Sequence, residues 1–320
     1  MLRLVPRRCR FAVTLLASVV ATVVSVRPAR AETPPAARTP APAVAPKPSA
    51  PAPTPASAPA RTSTPVPPSL PPVSAPLAAV PLVRFDQPES MLRFERSRHK
   101  VDFFHLANQF EAQENGGFCG LASGVIVLNA LRVDTASPDK PRDVSSVSPE
   151  IARKIPPRFD PFFARYTQRT FMDQRFEAVK PRAVFFGEPP APGAAIDPGL
   201  QLKQLGRILE AHGLSVTVRV VEDPSDEKSQ KSEIIQNLKT EGDYVIVNYH
   251  RPELGQPGGG HLSPLGAYDR TSDSFLILDV NANAQHWVWA PAKSLFAAMR
   301  TRGGPDNRGF LLVKERAPAE

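Results

Sequence analysis

Cysteine is scarce in this chain: Cys9 and Cys119 are the only two in 320 residues. Two thiols exclude a disulfide framework and a four-cysteine zinc site. There is no HExxH element and no Cys/His spacing suited to a metal, so no metal site is expected. No internal repeat occurs. The long apolar run at residues 11–26 falls short of the ~20 residues that cross a bilayer. Excess charge is also lacking where the chain is expected to fold. The formal net charge is +8. Residues 1–82 hold nine Arg or Lys and one acidic residue, whereas the remaining 238 carry 30 of each sign. A nucleic-acid-binding domain carries its basic excess on the fold itself, so no nucleic-acid partner is expected.

What is present begins with an address. Arg3, Arg7, Arg8 and Arg10 precede the apolar run, and Ala29-Arg30-Ala31 follows it as a small-x-small cleavage site. Residues 1–31 therefore read as a secretory signal, with export to the periplasm or the outside after cleavage near Ala31. An uncleaved anchor is the alternative, and this segment is the only membrane contact expected. Residues 32–82 hold 17 of the 38 prolines among Ala, Ser and Thr. They carry too little large apolar surface to offset the entropy of ordering, and read as an extended tether. Residues 83–320 then form the folded domain. Cleavage removes Cys9 and leaves Cys119 as a single thiol in an exported protein, which calls for an explanation.

Within that domain, residues 119–131 are apolar nearly all round, as in a helix buried in a core. Asp197-Pro198 resembles an N-cap with proline at N1, opening a helix over 201–212 that closes on Gly213. A second amphipathic helix is expected over 232–240. Residues 215–221, 244–249, 262–268, 275–280 and 309–313 read as strands, and the proline-rich 137–163 and 187–197 as loops. Helices early and antiparallel strands late predict an α+β domain with helices segregated against a sheet.

The chemistry centres on Cys119. A thiol at a helix N-terminus beside a histidine ionises well below ~8.5; the plain alternative is a small buried hydrophobe. Gln113, six residues upstream, could join the Cys119 backbone N–H as an oxyanion donor. Gly116 and Gly117 let the backbone pass close to a substrate. His261 follows three glycines and begins a strand, which puts its ring at a cleft edge. Asp279 ends the next strand, where its carboxylate could orient that ring as the third member of a Cys-His-Asp set. His99, His105, His212, His250 and His286 read as surface or cap residues.

Three stretches are recognisable together. Gln113-Glu-Asn-Gly-Gly-Phe118-Cys119-Gly-Leu-Ala-Ser-Gly-Val-Ile-Val-Leu-Asn-Ala-Leu131 resembles the catalytic segment of the phytochelatin synthase family. So do Val245-Ile-Val-Asn-Tyr-His-Arg251 and Gly258-Gly-Gly260-His261-Leu-Ser-Pro-Leu-Gly-Ala-Tyr268. Leu276-Ile-Leu-Asp279-Val, Trp287-Val288 and Arg308-Gly309-Phe310 follow in the right order. The resemblance implies a papain-like cysteine protease fold and action on glutathione. Cys119 would be the nucleophile, His261 the base and acid, Asp279 its orienter and Gln113 the oxyanion donor. Arg308 would grip the γ-glutamyl end of the substrate, with Gly260 and Phe118 also binding it. The expected course is attack on the Cys–Gly bond, loss of glycine and a γ-glutamylcysteinyl thioester on Cys119. No cofactor is required; Cd or Zn ions would activate through a metal–thiolate form of the substrate. A homodimer stays open.

The chain departs from the pattern in two places. It stops soon after Val313, without the cysteine-rich C-terminal region of the plant enzymes, and so resembles the short bacterial members. After Asp279-Val280 the family carries a basic residue, which the stretch 281–286 lacks. If that residue serves the second glutathione, transfer to an acceptor suffers more than transfer to water, so hydrolysis is expected to dominate. Full phytochelatin synthesis is the nearest alternative, and a non-catalytic binder of thiol peptides or metals the next. A general papain-like peptidase is the last.

Overall fold

The computed structural model describes residues 81–133 and 140–317, all within the compact unit Pro71–Glu320. The expected signal at 1–31 lies outside the described residues, as does all of the expected tether except Pro81 and Leu82. Leu82 packs against the core, so the folded region includes at least one residue before the expected boundary.

The described residues form an α+β arrangement around one seven-stranded sheet with every pairing antiparallel. The strands are β1 (Val83–Arg84), β2 (Leu214–Val220), β3 (Asp243–His250), β4 (Gly260–Asp269), β5 (Ser274–Ile277), β6 (Val288–Pro291) and β7 (Gly309–Glu315). Their order across the sheet is β1-β6-β5-β4-β3-β7-β2. Helices α1 (Pro88–Arg96), α2 (Phe103–Asn108) and α3 (Cys119–Arg132) precede the sheet's main body. Four short helices follow: α4 (Pro149–Lys154), α5 (Gln168–Phe171), α6 (Gln174–Val179) and α7 (Arg182–Phe185). The remaining three are α8 (Leu202–Ala211), α9 (Glu227–Asn237) and α10 (Ala292–Met299).

Side chains alternate across a strand, and the core divides accordingly. Tyr244, Ile246 and Leu311 point into the cluster built on α3 and α8. Val245, Val247 and Phe310 point into the one built on α9 and α10. With both faces covered, β4 is buried from His261 to Asp269 and shows no alternation of buried and exposed positions.

Helix α3 is buried around its whole circumference from Gly120 to Ala130, as its composition requires. Small residues let it approach β4 closely: a Cβ on Gly120 would lie 3.1 Å from Leu262. The Ser123 hydroxyl sits 2.8 Å from the Cys119 carbonyl and 3.1 Å from that of Leu262, tying the first turn of α3 to the residue after His261.

Two helix boundaries differ from expectation. Asp197 does not cap α8. Gly199 takes φ +73° and breaks the chain direction, so the cap is Gln201, reciprocally bonded with Gln204. Asp197 instead accepts from Lys180 at 2.8 Å and Gln201 at 2.7 Å. Helix α9 starts five residues before the expected 232 and ends at Asn237, because its first turns are polar and show no apolar period. The proline-rich 137–163, expected as loop, also contains α4. His212 does cap α8, as its C-cap residue, but it is buried and stacks on Phe171.

Candidate active site

Helix α3 presents Cys119 at its first residue, where N–H groups without intrahelical partners and the positive end of the helix dipole favour an anion. Strand β4 supplies His261 as its second residue. Asp279 follows β5, which is shorter than expected. The chain nevertheless keeps running beside β4, with the Leu278 N–H on the Pro264 carbonyl at 2.9 Å and the Val280 N–H on the Ser263 hydroxyl at 3.3 Å. That carries the carboxylate back to His261. His261 Nε2 and Asp279 Oδ1 are 3.0 Å apart. With Nε2 engaged there, Nδ1 is the ring nitrogen left for the hydrogen bond that His261 shares with Cys119.

The electrostatics follow from these contacts. Burial opposes ionisation of Cys119, but the His261 hydrogen bond and charge, with backbone bonds from Leu262 and Gly120, hold the thiol below its ordinary value. Burial lowers His261, but the bonds to Asp279 and Cys119 outweigh it and leave the imidazole raised. Burial would push the fully buried Asp279 up; His261 and Arg251 pull it down to about 2. A thiolate–imidazolium pair backed by a fixed carboxylate is the state these shifts favour.

Sequence reasoning missed two of the groups that hold Asp279. The buried Arg251 places Nη2 2.8 Å from Oδ1, and the Tyr249 hydroxyl donates to Oδ2 at 3.3 Å. The Asn281 N–H adds a third donor at 2.9 Å. Tyr249 pairs with His261 across β3 and β4, and Arg251 turns in where β3 ends. The usable signal was Arg251 itself, a cation directly after an apolar strand and ahead of the glycines at 258–260.

A cleft of about 430 Å³ opens over Cys119 and His261 and is lined also by Gln201, Asn248, Gly260 and Arg308. Arg308 is partly buried and burial lowers its pKa; it donates to the Thr301 hydroxyl at 2.9 Å and to the Arg302 carbonyl. Gly260 lies against it: a Cβ there would sit 2.7 Å from Arg308 Nη2. Gln113 and Phe118 do not line this cleft. The Gln113 backbone N–H donates to the Val280 carbonyl at 2.8 Å and its Nε2 to the Asn115 carbonyl at 2.6 Å. Phe118 is buried, and its ring packs with Phe185 and Phe186. Among the described residues no group of three or more His, Cys, Asp or Glu is placed to hold a metal ion.

A thiol held below its ordinary value at a helix N-terminus, a raised histidine and a buried carboxylate are the groups that thiol-dependent acyl transfer calls for. Comparison with known proteins gives the family. The phytochelatin synthase profile matches residues 74–144 and 159–310, and the chain belongs to that family. It is 27% identical over 252 residues to glutathione gamma-glutamylcysteinyltransferase 3 of Lotus japonicus, covering 76% of this chain and 45% of that one. Against glutathione gamma-glutamylcysteinyltransferase 1 of Arabidopsis thaliana it is 26% identical over 244 residues, 74% of this chain and 42% of the other. Against the Schizosaccharomyces pombe enzyme of that name it is 23% identical over 229 residues, 70% and 46%. The chain thus spans less than half the length of these relatives.

Proposed function

We propose that this protein cleaves the Cys–Gly bond of glutathione through a γ-glutamylcysteinyl thioester on Cys119, and passes the acyl group mainly to water. The observation that carries the reading is the pairing of Cys119 with His261 in a cleft that Arg308 also lines. The thiolate attacks the carbonyl, and the Cys119 backbone N–H at the helix end receives the developing oxyanion. Gln113 is the second donor in this reading, exchanging its bond to Asn115. His261 protonates the leaving glycine nitrogen, then takes a proton from the water that opens the thioester. Asp279 keeps the ring oriented throughout, and Arg308 takes the α-carboxylate of the γ-glutamyl group as a charged hydrogen bond. Helix α3, carrying the thiol, packs on the antiparallel strand carrying His261, which supports a papain-like fold.

Hydrolysis is favoured because residues 281–286 beside Asp279 hold no Lys or Arg and form a turn, with the Ala284 and Gln285 N–H groups both on the Asn281 carbonyl. An acceptor peptide needs a binding surface; water needs none. Cd or Zn ions enter this reading as part of the substrate, held by its thiols. We also propose that residues 1–31 export the protein and residues 32–82 tether the domain.

The test is to incubate the protein with glutathione under reducing conditions, with and without Cd or Zn, and to separate products by mass. Free glycine with γ-glutamylcysteine is expected, and Cys119→Ala should abolish it while leaving the fold intact. Longer γ-glutamylcysteine chains would shift the balance to transpeptidation. Absence of glycine release would overturn the reading.

A further inference from the structure

Residues 145–158 fall between the two stretches that match the family profile, and none of them lines the cleft over Cys119. They belong to an excursion closed at its base by the antiparallel bridge between Arg142 and Ala164. There the Asp143 N–H donates to the Phe163 carbonyl and the Arg165 N–H to the Pro141 carbonyl, both at 2.9 Å. From Val144 to Arg165 no residue is buried, and helix α4, inside the excursion, contributes no side chain to the core. Its shape comes from local bonds instead. The Ser148 hydroxyl accepts from the Ile151 N–H at 3.3 Å, Pro149 opens the helix, and Glu150 pairs with Lys154 at 2.9 Å.

The surface of this excursion has a particular chemistry. Val144, Ile151, Phe159 and Phe163 are 43%, 53%, 62% and 79% exposed. Single exposed apolar residues are ordinary, but several on one segment without a core mark a contact surface. Residues 140–165 hold six basic and three acidic residues. The three acids, Asp143, Glu150 and Asp160, are each paired, with Arg165, Lys154 and Arg142 respectively. Arg153 and Arg158 make no ion pair among the described residues. The excursion therefore presents large apolar side chains beside free cations, with every anion already engaged.

We propose that this excursion docks the domain on an anionic phospholipid surface. Ile151, Phe159 and Phe163 enter the boundary between headgroups and acyl chains, and Arg153 and Arg158 meet the phosphates. Apolar side chains flanked by Lys and Arg are the composition that binds at a membrane interface, and cations near an anionic leaflet add to the attraction. The long arginine stems let the guanidinium groups stay at headgroup level while the rings go deeper. A second copy of the chain fits less well. A two-fold contact would set the same surplus cations against each other, with no free acid to meet them. The N-terminus points the same way, since four arginines ahead of the apolar run at residues 11–26 make a membrane-directed segment. The proposal goes beyond the action on glutathione and does not depend on it.

The test uses the chain from Glu32 onward, which keeps the whole compact unit Pro71–Glu320 and omits the apolar run, so that any binding is the domain's own. It is sedimented with vesicles of phosphatidylglycerol and phosphatidylcholine in equal parts, and with vesicles of phosphatidylcholine alone. Binding is expected to the first, weakening as salt rises, and not to the second. The double variant Arg153→Gln, Arg158→Gln should bind roughly thirtyfold more weakly, the scale of two cations near an anionic surface. Phe159→Ser, Phe163→Ser should also weaken binding, and both variants should keep the native thermal midpoint, because none of the four side chains is buried. In Phe163→Trp, emission should be quenched by phosphatidylglycerol brominated on its acyl chains. Absence of binding, equal binding by the double variants, or binding without quenching would each overturn the proposal. So would a dimer that either double variant dissociates, which would make a second copy the occupant.

Discussion

Arg251 and Asp279 form a buried ion pair at 2.8 Å, 4% and 0% exposed at their side chains, directly behind the histidine that faces Cys119. The carboxylate that orients His261 is therefore not a lone buried charge. It is shared among a guanidinium, an imidazole, a phenol and a backbone N–H, and that sharing is what makes an ionised carboxylate sustainable without solvent.

Removing the guanidinium should be costly. Arg251→Met is expected to lower stability by about 3–5 kcal/mol, the usual loss when one partner of a buried pair is deleted. Urea unfolding checks this. A loss below about 1 kcal/mol would show that Tyr249 and Asn281 suffice, on the scale of a neutral hydrogen bond.

The pH profile follows from the opposed shifts of thiol and imidazole. Cys119 is lowered and His261 raised, and both shifts favour the thiolate–imidazolium pair. The acid limb of kcat/KM should lie below the ordinary thiol value of ~8.5, and the basic limb above the ordinary imidazole value of ~6.5. Asp279→Asn removes a negative charge that favours imidazolium, so the basic limb should move to lower pH. A limb that stays in place would deny Asp279 this role.

Gly260 offers a way to disturb substrate binding alone. The Cβ of Gly260→Ala would meet Arg308 Nη2 at 2.7 Å, and the guanidinium, at the end of a flexible side chain, would swing aside. Loss of one charged contact worth about 1.5–3 kcal/mol should raise KM for glutathione roughly tenfold or more, with kcat and thermal midpoint little changed. A fall confined to kcat would place Gly260 in the chemical step.

Asp102 is a stability lever remote from the thiol. It is fully buried, accepts one bond from the Gly242 N–H at 3.2 Å, and its other oxygen has no partner among the described residues. Burial, with the nearby Asp243 and Glu241 charges outweighing the Gly242 bond, pushes it up to about 8. A carboxyl raised on folding contributes its stability below the unfolded value near ~3.9 and loses it as pH climbs to about 8. Asp102→Asn should therefore stabilise the protein progressively over that range, seen as a thermal midpoint that gains most at alkaline pH. An equal midpoint at all pH values would contradict the assignment.

The parts that read correctly along the chain are those set by local pattern. Helix α3 announces itself through unbroken apolarity. The α+β class follows from helices preceding strands. Asp197 misled because its cap signal is genuine but Gly199, in a left-handed turn, cancels it two residues later. Arg251 escaped notice because a buried ion pair depends on which strands lie side by side, and nothing within a few residues of Arg251 hints at Asp279. Gln113 and Phe118 sit in a recognisable motif, yet neighbouring Gly116 and Gly117 line the cleft while these two turn toward the protein.

Strand β7 lies between β3 and β2, although β3, β4, β5 and β6 all come between β2 and β7 along the chain. It begins at Gly309, where no side chain would fit: a Cβ would come within 1.9 Å of the Arg219 carbonyl oxygen of β2. Arg308 is therefore delivered by a late-synthesised segment that must slot between two waiting strands. Such non-local pairing is slow to form. A ribosome would expose the thiol helix, the histidine strand and the aspartate well before Arg308 arrived. The nascent chain would carry Cys119 and His261 without Arg308, so the complete lining of the cleft becomes a marker of finished folding.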